Sequence, residues 1–159
     1  MFYAPLAALT WILSGWIVDR KRLRELLTYG LFGAVLATAH DRLVILYQLW
    51  EYRDTGLADS HAEIALLISL SAAPVFAMRF AQGLSAGRSF PVLRAVKFTA
   101  IAMIPEVIGL QTGHIVYDHW WNASWSVIAY GPIWLSIWAL HRWLSPAPAV
   151  ARQRLNSGP

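Results

Sequence analysis

The sequence contains no cysteine. That excludes disulfides, iron–sulfur ligation, thiolate zinc sites, c-type haem attachment and a cysteine nucleophile. Charge is also scarce: Asp, Glu, Lys and Arg make up 14% of the 159 residues, against roughly 25% in soluble domains. There is no nucleophile elbow, Walker loop, dinucleotide fingerprint or HExxH pair. Ser69 and Ser71 have no base at fixed spacing, so ordinary hydrolase chemistry is unsupported. The net charge is +4 and the pI about 9.8, yet no nucleic-acid-binding motif accompanies them, so nucleic acid is not an expected partner.

What is present is apolar. Hydrophobic residues are 57% of the chain and the mean hydropathy is +0.45. The charges gather in short clusters between apolar segments of about twenty residues, the length that crosses a bilayer. This pattern predicts an all-α integral membrane bundle of five transmembrane helices, one domain over residues 1–143. The spans fall at about 2–18, 26–49, 64–80, 95–114 and 123–140. Residues 144–159, rich in Pro, Ala and Ser, read as a flexible cytoplasmic tail. The first apolar run is followed, not preceded, by Arg20, Lys21, Arg22 and Arg24, unlike a cleaved signal peptide. The third span is the least well defined, because about fifteen apolar residues barely cross and Pro74 interrupts them.

Basic loops follow the first, third and fifth spans; acidic or neutral loops follow the second and fourth. The positive-inside bias then places the N-terminus outside and the C-terminus inside. On that topology Trp50, Tyr52, Trp120 and Trp121 mark the outer interface, and Trp16 and Trp143 the inner one.

A carboxylate inside a span costs several kcal/mol unless it has a partner. Glu106 is such a group, directly after Pro105. Thr99, Ala102, Glu106, Gly109 and Gly113 share a helix face, with Gly109 and Gly113 as a GxxxG pair, which predicts a close-packed seam. The second span carries Gly30, Ala34, Ala37 and Asp41 on one face, with Gly33, Ala37 and His40 adjoining. Glu106, His40, Asp41 and Arg42 are therefore expected to form an intramembrane polar cluster, with Glu106 paired to Arg42 or His40. Such a pair fixes helix register or holds a proton or ligand.

Two weaker constellations remain. His61, Glu63, His114, Asp118 and His119 lie on the outer side, and His114 and Asp118 have the i, i+4 spacing of one helix face. They match no metal motif, so no metal is assigned. Tyr130, Trp134 and Trp138 recur at helical spacing in the fifth span, where they serve packing or line a flat apolar ligand.

Glu51, Tyr52, Glu63, Pro74, Glu106, Thr112, Tyr117, Trp120, Trp121 and Trp125 together give residues 50–143 a further meaning. In them the chain resembles a family of small multi-pass membrane proteins of spore-forming Firmicutes, of about five spans and without an assigned activity. It departs from that family's pattern at Arg53, where a loop proline stands, and in lacking a second carboxylate before Gln111 and Thr112. The His40-Asp41-Arg42 run is not a family feature either. The resemblance implies a multi-pass protein of a bacterial cell membrane and no mechanism.

Two functional readings follow. One is a non-catalytic membrane protein, either an accessory subunit of a membrane complex or a small binding module for a lipid-like ligand. The other is a small proton-coupled transporter or membrane enzyme using Glu106 with His40, Asp41 and Arg42. The expected partners are the lipid bilayer, other membrane subunits and a hydrophobic small molecule such as a quinone, carotenoid or lipid. The sequence specifies no cofactor.

Overall fold

The computed structural model describes residues 3–53, 61–85 and 91–145. Among these, helices occupy each of the five expected segments: α1 (Tyr3–Ile17), α2 (Leu23–Tyr47), α3 (His61–Ser85), α4 (Pro91–Gln111) and α5 (Ala123–Leu144). Residues Arg20–Tyr47, Ala62–Leu84 and Ala123–Leu144 are long and apolar enough to cross a membrane. The 15 residues of α1 reach about 22 Å at 1.5 Å per residue, short of a bilayer core. Helix α4 carries Arg94, Lys97 and Glu106 within its 21 residues. The expected tail lies outside the described residues.

Helix α3 is longer than the 64–80 segment predicts and runs through Pro74 without a break. It is also the centre of the bundle, packing on α1, α2, α4 and α5. Its most extensive partner is α2, whose small-residue face is why. A Cβ on Gly33 would stand 2.4 Å from the Ala77 Cβ, and one on Gly30 would stand 3.1 Å from Met78 Cγ. Glycine here lets the two backbones approach closely.

Two turns set the chain's direction. Asp19 accepts from the Lys21 N–H at 2.9 Å and caps the 3-10 turn Arg20–Arg22. Asn122 accepts from the Ser124 and Trp125 N–H groups and caps α5, the ordinary role of asparagine at a helix start. The basic segments converge at one end of the bundle: the Asp19 N–H donates to Gln82 Oε1 at 3.1 Å, Tyr29 Oη lies 3.1 Å from His141 Nδ1, and Arg94 donates to the Phe80 and Arg79 carbonyls.

At the opposite end, the segments expected to be loops form a two-stranded antiparallel sheet. Strand β1 (Trp50–Tyr52) pairs with β2 (Ile115–Tyr117), Trp50 opposite Tyr117 and Tyr52 opposite Ile115. Arg53 N–H to the His114 carbonyl (2.7 Å) and Asp118 N–H to the Leu49 carbonyl (2.9 Å) extend the ladder. The sheet joins the exit of α2 to the exit of α4, and the Tyr3 hydroxyl at the start of α1 donates to the His114 carbonyl at 2.6 Å.

The core is accordingly in two parts. One, around Leu26, Val75, Phe80, Phe98, Trp134 and Ile137, lies toward the basic end. The other, around Tyr3, Val44, Trp50, Ile64 and Ile115, lies under the sheet. Outward faces carry large apolar side chains such as Ile12, Leu31, Val35, Leu46, Val96 and Ile128, while Asp41, Ser69, Ser71, Thr99 and Ser126 are buried. That distribution suits an apolar solvent.

Candidate functional site: a cavity between the two cores

A cavity of about 160 Å³ lies between the two core clusters and takes lining residues from both, Tyr3, Trp50 and Ile115 on one side and Ala77, Trp134 and Ile137 on the other. Its wall is apolar over most of its area, with Ala37, Ala72, Ala73 and Ala102 leaving the space that larger side chains would fill. His40, Asp41, Glu106 and Tyr130 are its polar groups, with the aromatic edges of Tyr3, Trp50 and Tyr52. The volume is comparable with the ~150 Å³ apolar cavity that accepts a benzene ring.

Three of the four residues expected to cluster, His40, Asp41 and Glu106, thus share one cavity, but Glu106 forms no ion pair there. Glu106 pairs with neither Arg42 nor His40. Its Oε1 accepts from the Tyr117 hydroxyl at 2.5 Å and its Oε2 from the Tyr130 hydroxyl at 3.2 Å. The reason is the placement of α3: the small face of α2 is spent on Ala73 and Ala77 of that helix, so α2 and α4 do not share the close seam the pairing requires. Arg42 faces elsewhere, lining a second cavity of about 190 Å³ with Thr38, Glu63 and Ser69.

Asp41 lines both cavities. Only 7% exposed, it accepts from the Ser69 hydroxyl at 2.9 Å through Oδ2, and its Oδ1 lies 3.9 Å from His40 Nδ1. Its charge is felt at the sheet: burial first, then Asp41, raises the Tyr52 phenol well above its ordinary range.

A directed hydrogen-bond chain leads to Glu106. Indole N–H can only donate and a carboxylate can only accept, which fixes the order. Trp121 Nε1–H donates to Ser126 Oγ at 2.9 Å, Ser126 Oγ lies 3.3 Å from Tyr117 Oη, and Tyr117 donates to Glu106. Burial, followed by the bond to Glu106, raises the Tyr117 phenol above its ordinary value. Among the described residues, the Trp50 indole N–H is the one buried side-chain donor without a partner in strict hydrogen-bonding geometry; it lies against the Tyr52 hydroxyl and favours the ionised form of that phenol.

Other expectations are revised. Gly109 and Gly113 do not form a helix–helix GxxxG contact. A Cβ at Gly109 would meet Ile115 of β2 at 2.8 Å, and Gly113 lies beyond the helix at φ +74 with open space around it. The His114 N–H to the Gly109 carbonyl and the Gly113 N–H to the Leu110 carbonyl make Gly113 the left-handed residue of a Schellman cap. Trp50 is not an interfacial anchor: it is 8% exposed and packs on His40, Tyr52, Tyr117 and Trp121.

The spacing of His114 and Asp118 has no helical meaning, because that segment is β2. His114 Nδ1 lies 2.8 Å from Thr112 Oγ1, and Asp118 accepts from the N–H of His119. Glu63 lies on α3 beside the second cavity. The side chain of His61 lies outside the described residues. Among the described residues, no three His, Asp or Glu side chains are placed to hold a metal ion. In the α5 stripe, Tyr130 and Trp134 line the cavity. Trp134 also stacks on Phe80 at 5.1 Å and donates to Thr99 Oγ1 at 3.0 Å, whereas Trp138 belongs to the core packing alone.

The fold and site together define a helical bundle with a largely apolar cavity edged by carboxylates. Comparison of the chain with protein-family models, curated proteins and solved structures returns no match.

Proposed function

We propose that the chain is a non-catalytic, five-span integral membrane protein, N-terminus outside, whose cavity binds a small lipophilic molecule carrying one polar end. The observation that carries this reading is the cavity itself. A site walled by alanines and aromatics, with a few convergent polar groups at one place, is how proteins hold a small amphipathic ligand. The separation of basic residues at one end of the bundle from Glu51, Glu63 and Asp118 at the other supports the orientation. The outward-facing Leu, Ile and Val side chains support a lipid environment.

Gentle purification from a native membrane, followed by native mass spectrometry and an absorption spectrum, tests the reading. A stoichiometric small molecule is expected with the unaltered chain and is expected to be lost from Ala102→Leu, which fills the cavity. Retention of the molecule by that variant would place its binding elsewhere.

A second reading, proton handling at the same place, is favoured by the run Ser126–Tyr117–Glu106, two hydroxyls and a carboxylate that lead from the sheet to the cavity wall. Proton-coupled uptake in proteoliposomes that disappears in Ser126→Ala, with ligand binding retained, would support it.

A further inference from the structure

A larger space runs beside the cavity. Between α2 and α5 lies a groove of about 540 Å³, walled by Leu36, Ala39 and Leu43 on one side and Ala129, Pro132 and Ser136 on the other. The two helices are tied at the basic end through Tyr29 and His141. Toward the sheet, the small side chains of Ala39, Ala129 and Ser136 leave the gap between them unfilled. His40, Tyr47 and Ser136 are polar, and among the described residues no Asp, Glu, Lys or Arg lines the groove. Most of its wall belongs to the membrane-length segments Arg20–Tyr47 and Ala123–Leu144. On the five-span reading it therefore opens at the depth of acyl chains.

The groove and the cavity share two wall residues, His40 and Ile133. Both are half-buried, so a single layer of side chains stands between the two spaces. The second cavity also adjoins the first, at Asp41, but Thr38, Arg42 and Glu63 line it, and hydrocarbon there would strip polar groups of their solvation. A hydrocarbon chain leaving the first cavity thus has an apolar path on the α2–α5 side. Taken singly, the groove would hold bulk acyl chains and the cavity of about 160 Å³ would hold one ring. With a common wall, they match a molecule of two parts. Resting on the binding reading above, we infer that the ligand is a single-chain lipid. Its one-ring head occupies the cavity, and its hydrocarbon chain passes His40 and Ile133 to lie in the α2–α5 groove.

Phenol and 4-nonylphenol, titrated against the full chain in lipid nanodiscs, test this. Affinities are referred to the mole fraction of each compound in the lipid, which removes the stronger partitioning of the longer one. On that scale a chain gains nothing from leaving one hydrocarbon medium for another, and only packing against a fixed wall favours it. 4-Nonylphenol is expected to bind at least about five-fold more tightly than phenol. Ser136→Leu, which fills the groove without lining the cavity, should shrink that ratio to within about two-fold. A nonylphenol with a diazirine at the chain end should label α2 and α5 along the groove, and excess 4-nonylphenol, but not nonane, should protect them. Equal affinities for the two compounds, with phenol binding lost in Ala102→Leu, would overturn the chain assignment and leave the cavity reading standing. Unprotected labelling spread over outer faces such as Ile12 and Val96 would overturn it too, because the groove would then hold bulk lipid. A co-purified molecule without a long chain would do the same. Binding of neither compound, together with a purified protein free of any small molecule, would overturn the binding reading as well. The comparison of compounds needs no variant, so it decides the matter even if Ser136→Leu does not fold.

Discussion

The Tyr117 hydroxyl donates to Glu106 Oε1 at 2.5 Å, joining strand β2 to the interior of α4. The strand is held in register by its pairing with β1, and Ile115 fills the hollow left by Gly109. The two-stranded sheet is therefore what aims a phenol at the carboxylate. Tyr117→Phe keeps the ring but removes the shorter of the two hydroxyl donors to Glu106. It is expected to destabilise the bundle by about 1–3 kcal/mol in reversible unfolding from detergent micelles. Tyr130→Phe, losing a 3.2 Å bond, should cost less. Equal stability of Tyr117→Phe and the unaltered protein would show that the contact contributes nothing.

Alkaline pH should act through the same group. The neutral phenol of Tyr117 is favoured in the folded protein, first by burial and then by Glu106, so its proton is held more tightly folded than unfolded. A raised folded-state value means that the associated stability is fully present below the ordinary phenol value of 10.0. It is lost as pH climbs through the folded value. Tyr52 behaves in the same sense. Thermal unfolding midpoints should therefore fall above pH 10, and phenolate absorbance should show late-titrating tyrosines. Glu106→Gln should bring one of them earlier by removing the carboxylate's share.

Much of this site is legible from residue spacing and part of it is not. The small face of α2 and the burial of Asp41 follow from helical periodicity, and the inward position of Glu106 follows from the cost of charge in lipid. The partners of Glu106 do not, because Tyr117 reaches it through a pairing of Trp50–Tyr52 with Ile115–Tyr117. Each strand has three residues, too short for alternation to declare itself against neighbouring apolar helices. The aromatic and β-branched make-up of WEY and IVY is the one signal that was there to read. Trp50 was equally ambiguous, since an aromatic at a helix end is usually an interfacial residue. Gly113 fits the GxxxG spacing, but a glycine two positions past the last helical residue, Gln111, is as readily its cap.

The α2–α3 seam yields a graded test. At Gly33 an added methyl would meet the Ala77 Cβ and the Ala73 carbonyl, neither of which can swing aside. At Gly30 the nearest atoms are the flexible Met78 side chain. Gly33→Ala is thus expected to cost about 1–3 kcal/mol by overpacking and to distort the cavity wall, which Gly33 also lines. Gly30→Ala should cost less, because the Met78 side chain can move aside while both variants share the same gain in helix propensity. Parallel chemical denaturation of the two variants would reveal the ordering. A larger loss at Gly30 would contradict the packing.

The two helices that feed the sheet end in the same way with different residues. At α4 the left-handed position is Gly113, φ +74. At α2 it is Gln48, φ 50, with its own N–H on the Ile45 carbonyl and the Leu49 N–H on the Val44 carbonyl. A side chain in that conformation crowds its backbone and costs roughly 1–2 kcal/mol, which glycine avoids. Glycine in turn loses more entropy on folding, so the net gain from Gln48→Gly is expected to be about 0.5–1 kcal/mol. The reverse change, Gly113→Gln, should cost a similar amount. Because Leu49 accepts from Asp118 directly after the cap, hydrogen exchange at the β1–β2 amides should slow in the first variant and quicken in the second. A stabilised fold with unchanged strand exchange would mean that the caps do not govern how firmly the sheet holds Tyr117 against Glu106.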